Sequence, residues 1–269
     1  MERGGEVRSP IGANARPFAG GGALEGADQA LAMAAVVFQS GGSTDLADRT
    51  LRNVLRGHDV HDVSAVYRLD FIAARAVVDD EARTILQPLT PLRLHLVRAS
   101  EAARLAERLG RGDIDGATFA AETERIRLLP SPHGRGIVVL AAACAGAACS
   151  QMLGAVPETL PIAGVAAGVG HYLRSLLQAR NLSPYAVTFL CALASGIIAV
   201  TGLRLALGGT PGAALVAAVT YLVPGVPLIN GFMDVVSRRY LMVGVQRILD
   251  ATFLFFLITM AVAIANAAI

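Results

Sequence analysis

GIVVLAAACAGAACSQML, residues 136–153, runs for 18 residues without a charged side chain. A helix of about 20 apolar residues crosses the roughly 30 Å hydrocarbon core of a bilayer, so this stretch reads as a first transmembrane span. Four more apolar stretches follow it, at 156–173, at 184–207 with Arg204 near its end, at 212–234 and at 251–269. After Arg135 the chain holds only three acidic residues, Glu158, Asp234 and Asp250, and six arginines; everything before it is far more highly charged. Two solvents are implied. The whole chain, at 54% hydrophobic and 16% charged, sits on the apolar side of soluble globular proteins. The fold class expected is therefore an α-helical integral membrane protein: a five-helix transmembrane bundle over 136–269, with an amino-terminal cytoplasmic α+β domain over 27–135.

Working back from the first span, residues 1–26 are rich in Gly, Pro and Arg and lack an apolar signal core, so they read as a disordered leader without a cleavable signal peptide. DQALAMAAVVFQ, 28–39, reads as a short apolar helix stopped by Gly41 and Gly42. Ser43 is placed to cap a second helix, with Asp45 in its first turn and Leu46, Leu51, Val54 and Leu55 on its apolar face. The stretch 64–80 mixes Val66, Leu69, Phe71 and Ile72 with polar residues, which predicts two short strands. Pro91 is expected to open a third helix and a fourth follows the Gly112 break.

Basic residues in short loops set orientation. Arg125, Arg127 and Arg135 precede the first span, Arg174 and Arg180 separate the second from the third, and Arg238 and Arg239 separate the fourth from the fifth. These alternate loops share a side, which predicts a multi-pass protein with its amino terminus cytoplasmic and its carboxy terminus external. All basic residues but the histidines are arginine, a composition that fits a GC-rich bacterial genome.

The fourth stretch holds the most informative segment, TYLVPGVPLINGFMDVV, 220–236. Pro224 and Pro227 donate no backbone hydrogen bond and clash with the preceding turn, so the helix must break there. Transporters place solute and ion sites at such discontinuities. Asn230 and Asp234, four apart, share a face just past the break, where an amide and a carboxylate suit solute binding or a proton relay; the plain alternative is a structural kink with an interfacial carboxylate. Gly164 and Gly168 permit close helix approach, and His171 with Tyr172 either titrates or anchors at the interface. Arg247 and Asp250, three apart, read as a local ion pair or cap, or as a part of the pathway; the candidate substrate or ion pathway is Pro224, Gly225, Pro227, Asn230, Asp234 and Arg247.

Other chemistry is set aside. Mixed acids and bases before residue 135 give no one-sign block for nucleic acid. His58 and His61, with Asp59 and Asp62, match no standard zinc spacing, so no metal is expected, and Cys144, Cys149 and Cys191 read as buried thiols. No Walker loop, GxSxG or HExxH occurs, and no cofactor or enzymatic activity is expected.

Two segments together resemble the threonine/serine exporter (ThrE) family, in particular its YjjP-type members. FQSGGSTDLADRTLRNVLRG, 38–57, is similar to the family's helix-Gly-helix signature through Gly41, Ser43, Thr44 and Arg49. VPGVPLINGFMDVVSRRYLMVGVQRILDA, 223–251, is similar to its membrane motif through Pro224, Gly225, Pro227, Asn230, Asp234, Gly244 and Arg247. One departure is SRRY, 237–240, where the family often has a glycine-containing turn. The resemblance implies an inner-membrane exporter of small amino acids such as threonine and serine, or of dicarboxylates such as succinate. It also implies a second membrane half, supplied by a small YjjB-type partner subunit or by a homo-oligomer. The competing reading is a membrane-anchored sensor or scaffold, for which one or two spans suffice and a proline-broken helix has no use.

Overall fold

The computed structural model describes residues 22–268 apart from 59, 61–62, 79–80, 181 and 208, and within that range the side chains of 22–24, 76–78, 81–83, 206 and 207 are not described. Most of the leader expected over 1–26, and three of the four residues in the His/Asp cluster, lie outside the described residues. The chain divides into two compact units, Met1–Arg127 and Leu128–Ile269.

In the first unit α1 (Gly22–Gln39) begins earlier than the sequence suggested and is the central element. Ala30, Leu31, Met33, Ala34, Val37 and Phe38 are all buried, as in a helix wrapped on every side by α2, α3 and the sheet. Gly41 ends it at φ 94°, a left-handed conformation that glycine takes without strain. Ser43 then caps α2 (Thr44–Gly57), accepting from the Leu46 amide at 3.2 Å. Gly42 lies so close to α1 that a Cβ there would stand 2.6 Å from Val37 Cγ1 and 2.9 Å from its carbonyl oxygen.

The sheet has three strands, β1 (Val63–Tyr67), β2 (Phe71–Val78) and β3 (Glu81–Pro88), in an antiparallel meander. The sequence reading expected two. The third was hidden because EARTILQP breaks the polar/apolar alternation at Arg83-Thr84 and Ile85-Leu86 and holds only two β-branched residues, and its register with β2, Val78 opposite Glu81 and Ala74 opposite Ile85, is a tertiary property. Pro91 opens no helix: α3 (Leu96–Gly110) starts later, capped by His95 Nδ1 on the Arg98 amide at 3.0 Å. Residues 91–95 form no helix, and the Arg93 and His95 amides donate instead to the Gln39 and Ser40 carbonyls, each at 3.0 Å, satisfying the end of α1. α4 (Gly116–Arg127) completes the unit.

The second unit contains α5 (Arg135–Met152), α6 (Thr159–Gln178), α7 (Pro184–Gly202) continued by a π-helical turn at Leu203–Leu207, α8 (Pro211–Val219), a 3-10 turn at Thr220–Leu222, α9 (Gly225–Val236) and α10 (Leu241–Ala268). Among the described residues, three helical segments are long and apolar enough to cross a membrane, Arg135–Met152, Pro184–Leu205 and Leu241–Ala268. A fourth span arises if Pro211–Leu222 and Gly225–Val236, bent by 71°, count as one. α6 has the length, at 20 residues, and is not among them.

The packing is inverted relative to a water-soluble bundle. Inside stand small residues, Ala163, Ala166, Ala167, Ala192, Ala199, Ala217, Ala218 and Ala261, while Leu140, Met152, Phe232, Met233, Leu249 and Phe256 face outward. Helices in lipid gain by close backbone approach rather than by hiding apolar surface, so small residues collect at their contacts. The Gly164/Gly168 pair works this way within the chain: Cβ atoms there would stand 3.1 Å from the Ala143 oxygen and 3.1 Å from Ala143 Cβ, on α5.

Candidate functional site

The break between α8 and α9 follows atom by atom from its prolines. In a continuous helix the Tyr221 carbonyl would accept from residue 225 or, in a tighter turn, from 224. Pro224 has no N–H, and the Gly225 amide turns back to the Val223 carbonyl at 2.8 Å. The Val223 carbonyl needs that donor because its own helical partner would be Pro227. The Tyr221 carbonyl is thereby freed, and Arg174 Nη1, from the last part of α6, donates to it at 3.3 Å. Thr220 is held by Val223 N at 3.1 Å, and α9 restarts with Leu228 N on the Pro224 carbonyl at 3.1 Å. Gly225 opens α9 with free space where a Cβ would stand, so its place here does not come from crowding.

Polar side chains gather on the α8 side of the break. The Tyr221 hydroxyl lies 3.1 Å from Ser195 Oγ, which donates to the Ala166 carbonyl at 3.1 Å and is fully buried. Both hydroxyls rest against Gly170: a Cβ there would stand 2.0 Å from Ser195 Oγ and 2.2 Å from Tyr221 Oη. A Cβ at this position would displace both hydroxyls. The His171 ring packs edge-on against Tyr221 with centroids 5.6 Å apart, and the Cys149 thiol lies 3.4 Å from Thr220 Oγ1. Of these residues the sequence reading singled out His171 and noted Arg174 as a loop charge. Tyr221 and Ser195 were missed, and the only local sign of them was a glycine, Gly170, next to a histidine in an apolar run.

Past the break, α9 packs on α10 as a hairpin. Gly231 and Gly244 make the contact: a Cβ on Gly244 would stand 2.8 Å from the Gly231 oxygen and 2.9 Å from Asp234 Cβ. One turn beyond each glycine sits a charge, and Arg247 Nη1 donates to Asp234 Oδ2 at 2.9 Å. Asp234 is 3% exposed and Arg247 5%. The local Arg247–Asp250 pair expected from the sequence does not form; α10 starts at Leu241 rather than near Ala251, which turns Arg247 toward α9, while Asp250 accepts from the Tyr185 hydroxyl at 2.6 Å. Asn230 is half-buried on the Asp234 face. In the SRRY turn Arg238 takes φ 57°, the left-handed conformation that a glycine would adopt freely. Arg204 lies exposed in the π-helical turn after α7.

The motif residues of the first unit are brought together elsewhere. Gly41 and Ser43 shape the α1–α2 connection, Thr44 is fully buried, and Arg49 pairs with Asp45 at 2.7 Å on the exposed side of α2. Arg49 also lines a groove of about 440 Å³ between α2 and α3, with Asn53, Ser100 and Glu107. Among the described residues no group of His, Cys, Asp or Glu is placed to hold a metal.

Apolar helices built on small-residue contacts, one of them broken where hydroxyl, imidazole and guanidinium groups converge, are the working parts of solute transporters. The sequence profile of the ThrE family, described as "Putative threonine/serine exporter", matches residues 28–268. The chain belongs to that family, and so to multi-pass membrane proteins of the transporter class. No curated protein and no solved structure matches it.

Proposed function

We propose that the protein is a secondary exporter, or one subunit of an exporter, that moves small amino acids such as threonine and serine, or dicarboxylates such as succinate, out of the cell. The observation that carries this reading is the break at Tyr221–Pro227, where a freed carbonyl and a guanidinium meet inside an alanine-lined bundle. Irregular backbone at membrane depth is tolerated only against protein or a water-lined cavity, and it is the usual place for solute contacts. Pro224, Gly225 and Pro227 make the break, and Asn230 lies on the hairpin that leaves it. Asp234 and Arg247 neutralise each other, so their proposed part is to fix that hairpin against α10. Family membership supports the exporter class and does not choose among the solutes.

The bundle is proposed to work in the bacterial inner membrane as about five spans, with α6 as the least apolar. The arginine-rich loops support a cytoplasmic position for the first unit. A small YjjB-type membrane subunit, or a second copy of the chain, is proposed to complete the pathway. No observation favours the sensor or scaffold reading. The test is export from cells loaded with labelled threonine, serine or succinate, expressing the chain with and without a small partner subunit. Accelerated efflux of at least one solute is expected, and Pro224→Ala/Pro227→Ala is expected to abolish it. Equal efflux from cells with and without the protein, for every solute and in both subunit settings, would overturn the reading.

A further inference from the structure

We infer that His171 is the proton-binding residue at the helix break, and that charging it loosens the hold of Arg174 on the Tyr221 carbonyl. The inference rests on the transport reading for its purpose but on geometry for its content. His171 Nδ1 is shielded from solvent and meets no hydrogen-bond partner among the described residues. An imidazole nitrogen left so inside a protein is destabilising, which makes it unusual as mere packing. Its ring lies against Tyr221, the residue whose carbonyl the break has freed. Arg174 stands three residues along the same helix, hence on the same face.

The consequence of a proton follows from these positions. A neutral imidazole leaves Arg174 as the one cation on this face of α6, free to donate to the Tyr221 carbonyl. A charged imidazole puts a second cation one turn away and is itself drawn to the Tyr221 ring. Charge on His171 thus competes with Arg174 for the same turn of chain, and the turn changes its support. Among the described residues, the other titratable groups facing this point are Arg174 on the same helix, Tyr221 on the 3-10 turn and Cys191 on α7, whose carbonyl is 3.5 Å from the Tyr221 hydroxyl, while the Cys149 thiol on α5 lies against Thr220. No carboxylate is among them. Of these side-chain types only histidine ordinarily changes charge between about pH 5 and 8. Asp234, the carboxylate nearest the break in sequence, already has its counter-ion in Arg247.

Hydrogen exchange of the full-length protein in lipid nanodiscs tests this without needing a solute. The Val223 and Gly225 amides hold the break through the Thr220 and Val223 carbonyls. After correction for intrinsic exchange, their protection is expected to fall about fivefold or more between pH 8 and pH 5.5, the effect of a shift of roughly 1 kcal/mol in the local equilibrium. His171→Gln, which keeps the size and polarity without the charge, is expected to remove that pH dependence and leave protection at its high-pH level. Flat protection in the unmodified protein overturns the inference, and so does a pH dependence that survives His171→Gln. The first result stands even if the variant fails to fold. Transport separates this from the exporter reading: pH-dependent protection without solute efflux at any pH sinks the function and leaves the proton site, whereas efflux with flat protection does the reverse.

Discussion

Replacing Asp234 with Ala leaves the Arg247 guanidinium, 5% exposed, without the carboxylate that it meets at 2.9 Å. Breaking a buried ion pair from one side typically destabilises by about 3–5 kcal/mol, because the remaining charge keeps its desolvation penalty and loses its compensation. Relaxation is restricted here, since the Gly231–Gly244 contact one turn away leaves no room for α9 and α10 to close on the gap. Arg247→Met, tested alone, takes the guanidinium away from the buried carboxylate and should cost a similar amount. Both changes together put apolar groups where charges stood, and such replacements are often near neutral, so the double variant should lose much less than the sum of the singles. The assay is a double-mutant cycle on the full chain, unfolded by denaturing detergent from mild micelles and followed by circular dichroism. A coupling of about 2–3 kcal/mol or more is expected for groups in direct contact. Additive single effects, or an Asp234→Ala loss within about 0.5 kcal/mol as at ordinary surface positions, would refute the picture of a hairpin locked by this pair.

Gly244→Ala is expected to destabilise the same hairpin by about 1–3 kcal/mol, as overpacking does, and to lower its melting temperature, because the added Cβ meets the Gly231 oxygen at 2.8 Å. Arg238→Gly should raise stability by up to about 1 kcal/mol in the same detergent unfolding, by relieving a side chain held at φ 57°. Gly170→Ala should lose export while Gly225→Ala keeps it, since one Cβ strikes Tyr221 and Ser195 and the other meets open space. In the first unit the Asp115 carboxylate accepts from the Thr118 side chain and from the Thr118 amide, the latter at 2.8 Å, and these two bonds hold its carboxyl below the usual range. A depressed folded-state value means that its contribution is present above the unfolded value and lost as pH falls through the lower one, so exchange protection of Thr118 should weaken only in that acid window, and Asp115→Ala should abolish the dependence.

What the sequence disclosed was mostly backbone necessity. A charge-free run from 136 to 153 had few alternatives to a helix in lipid, two prolines three apart had to break the fourth stretch, and a Gly-Gly pair followed by a capping serine had to separate α1 from α2. Contacts between elements were harder to see. Arg247 pointed equally well to Asp250 on its own helix, and only the crossing at Gly231 and Gly244 selects Asp234 instead. Two charges also hid the true start of α10, since a hydropathy reading ends a span at Asp250 while the helix, needing only backbone bonds, begins at Leu241. Tyr221 and Ser195 carried no signal because isolated hydroxyls in apolar runs are ordinary. Their meaning comes from meeting over Gly170.

The uninterrupted length of α10 bears on how motion would travel. Its 28 residues, at about 1.5 Å each, give roughly 42 Å, against a hydrocarbon layer of roughly 30 Å. Arg247 and Asp250 both fall in its first half, and every residue described after them on this helix is uncharged. Tyr185 grips it near that change, its hydroxyl on Asp250 at 2.6 Å and its ring edge-on to Phe253 at 5.2 Å. In mechanical terms α10 is a single unbroken rod clamped at Tyr185. Its shorter end carries the charge-locked hairpin and its longer end lies along α7, so one continuous ladder of helical hydrogen bonds joins the two.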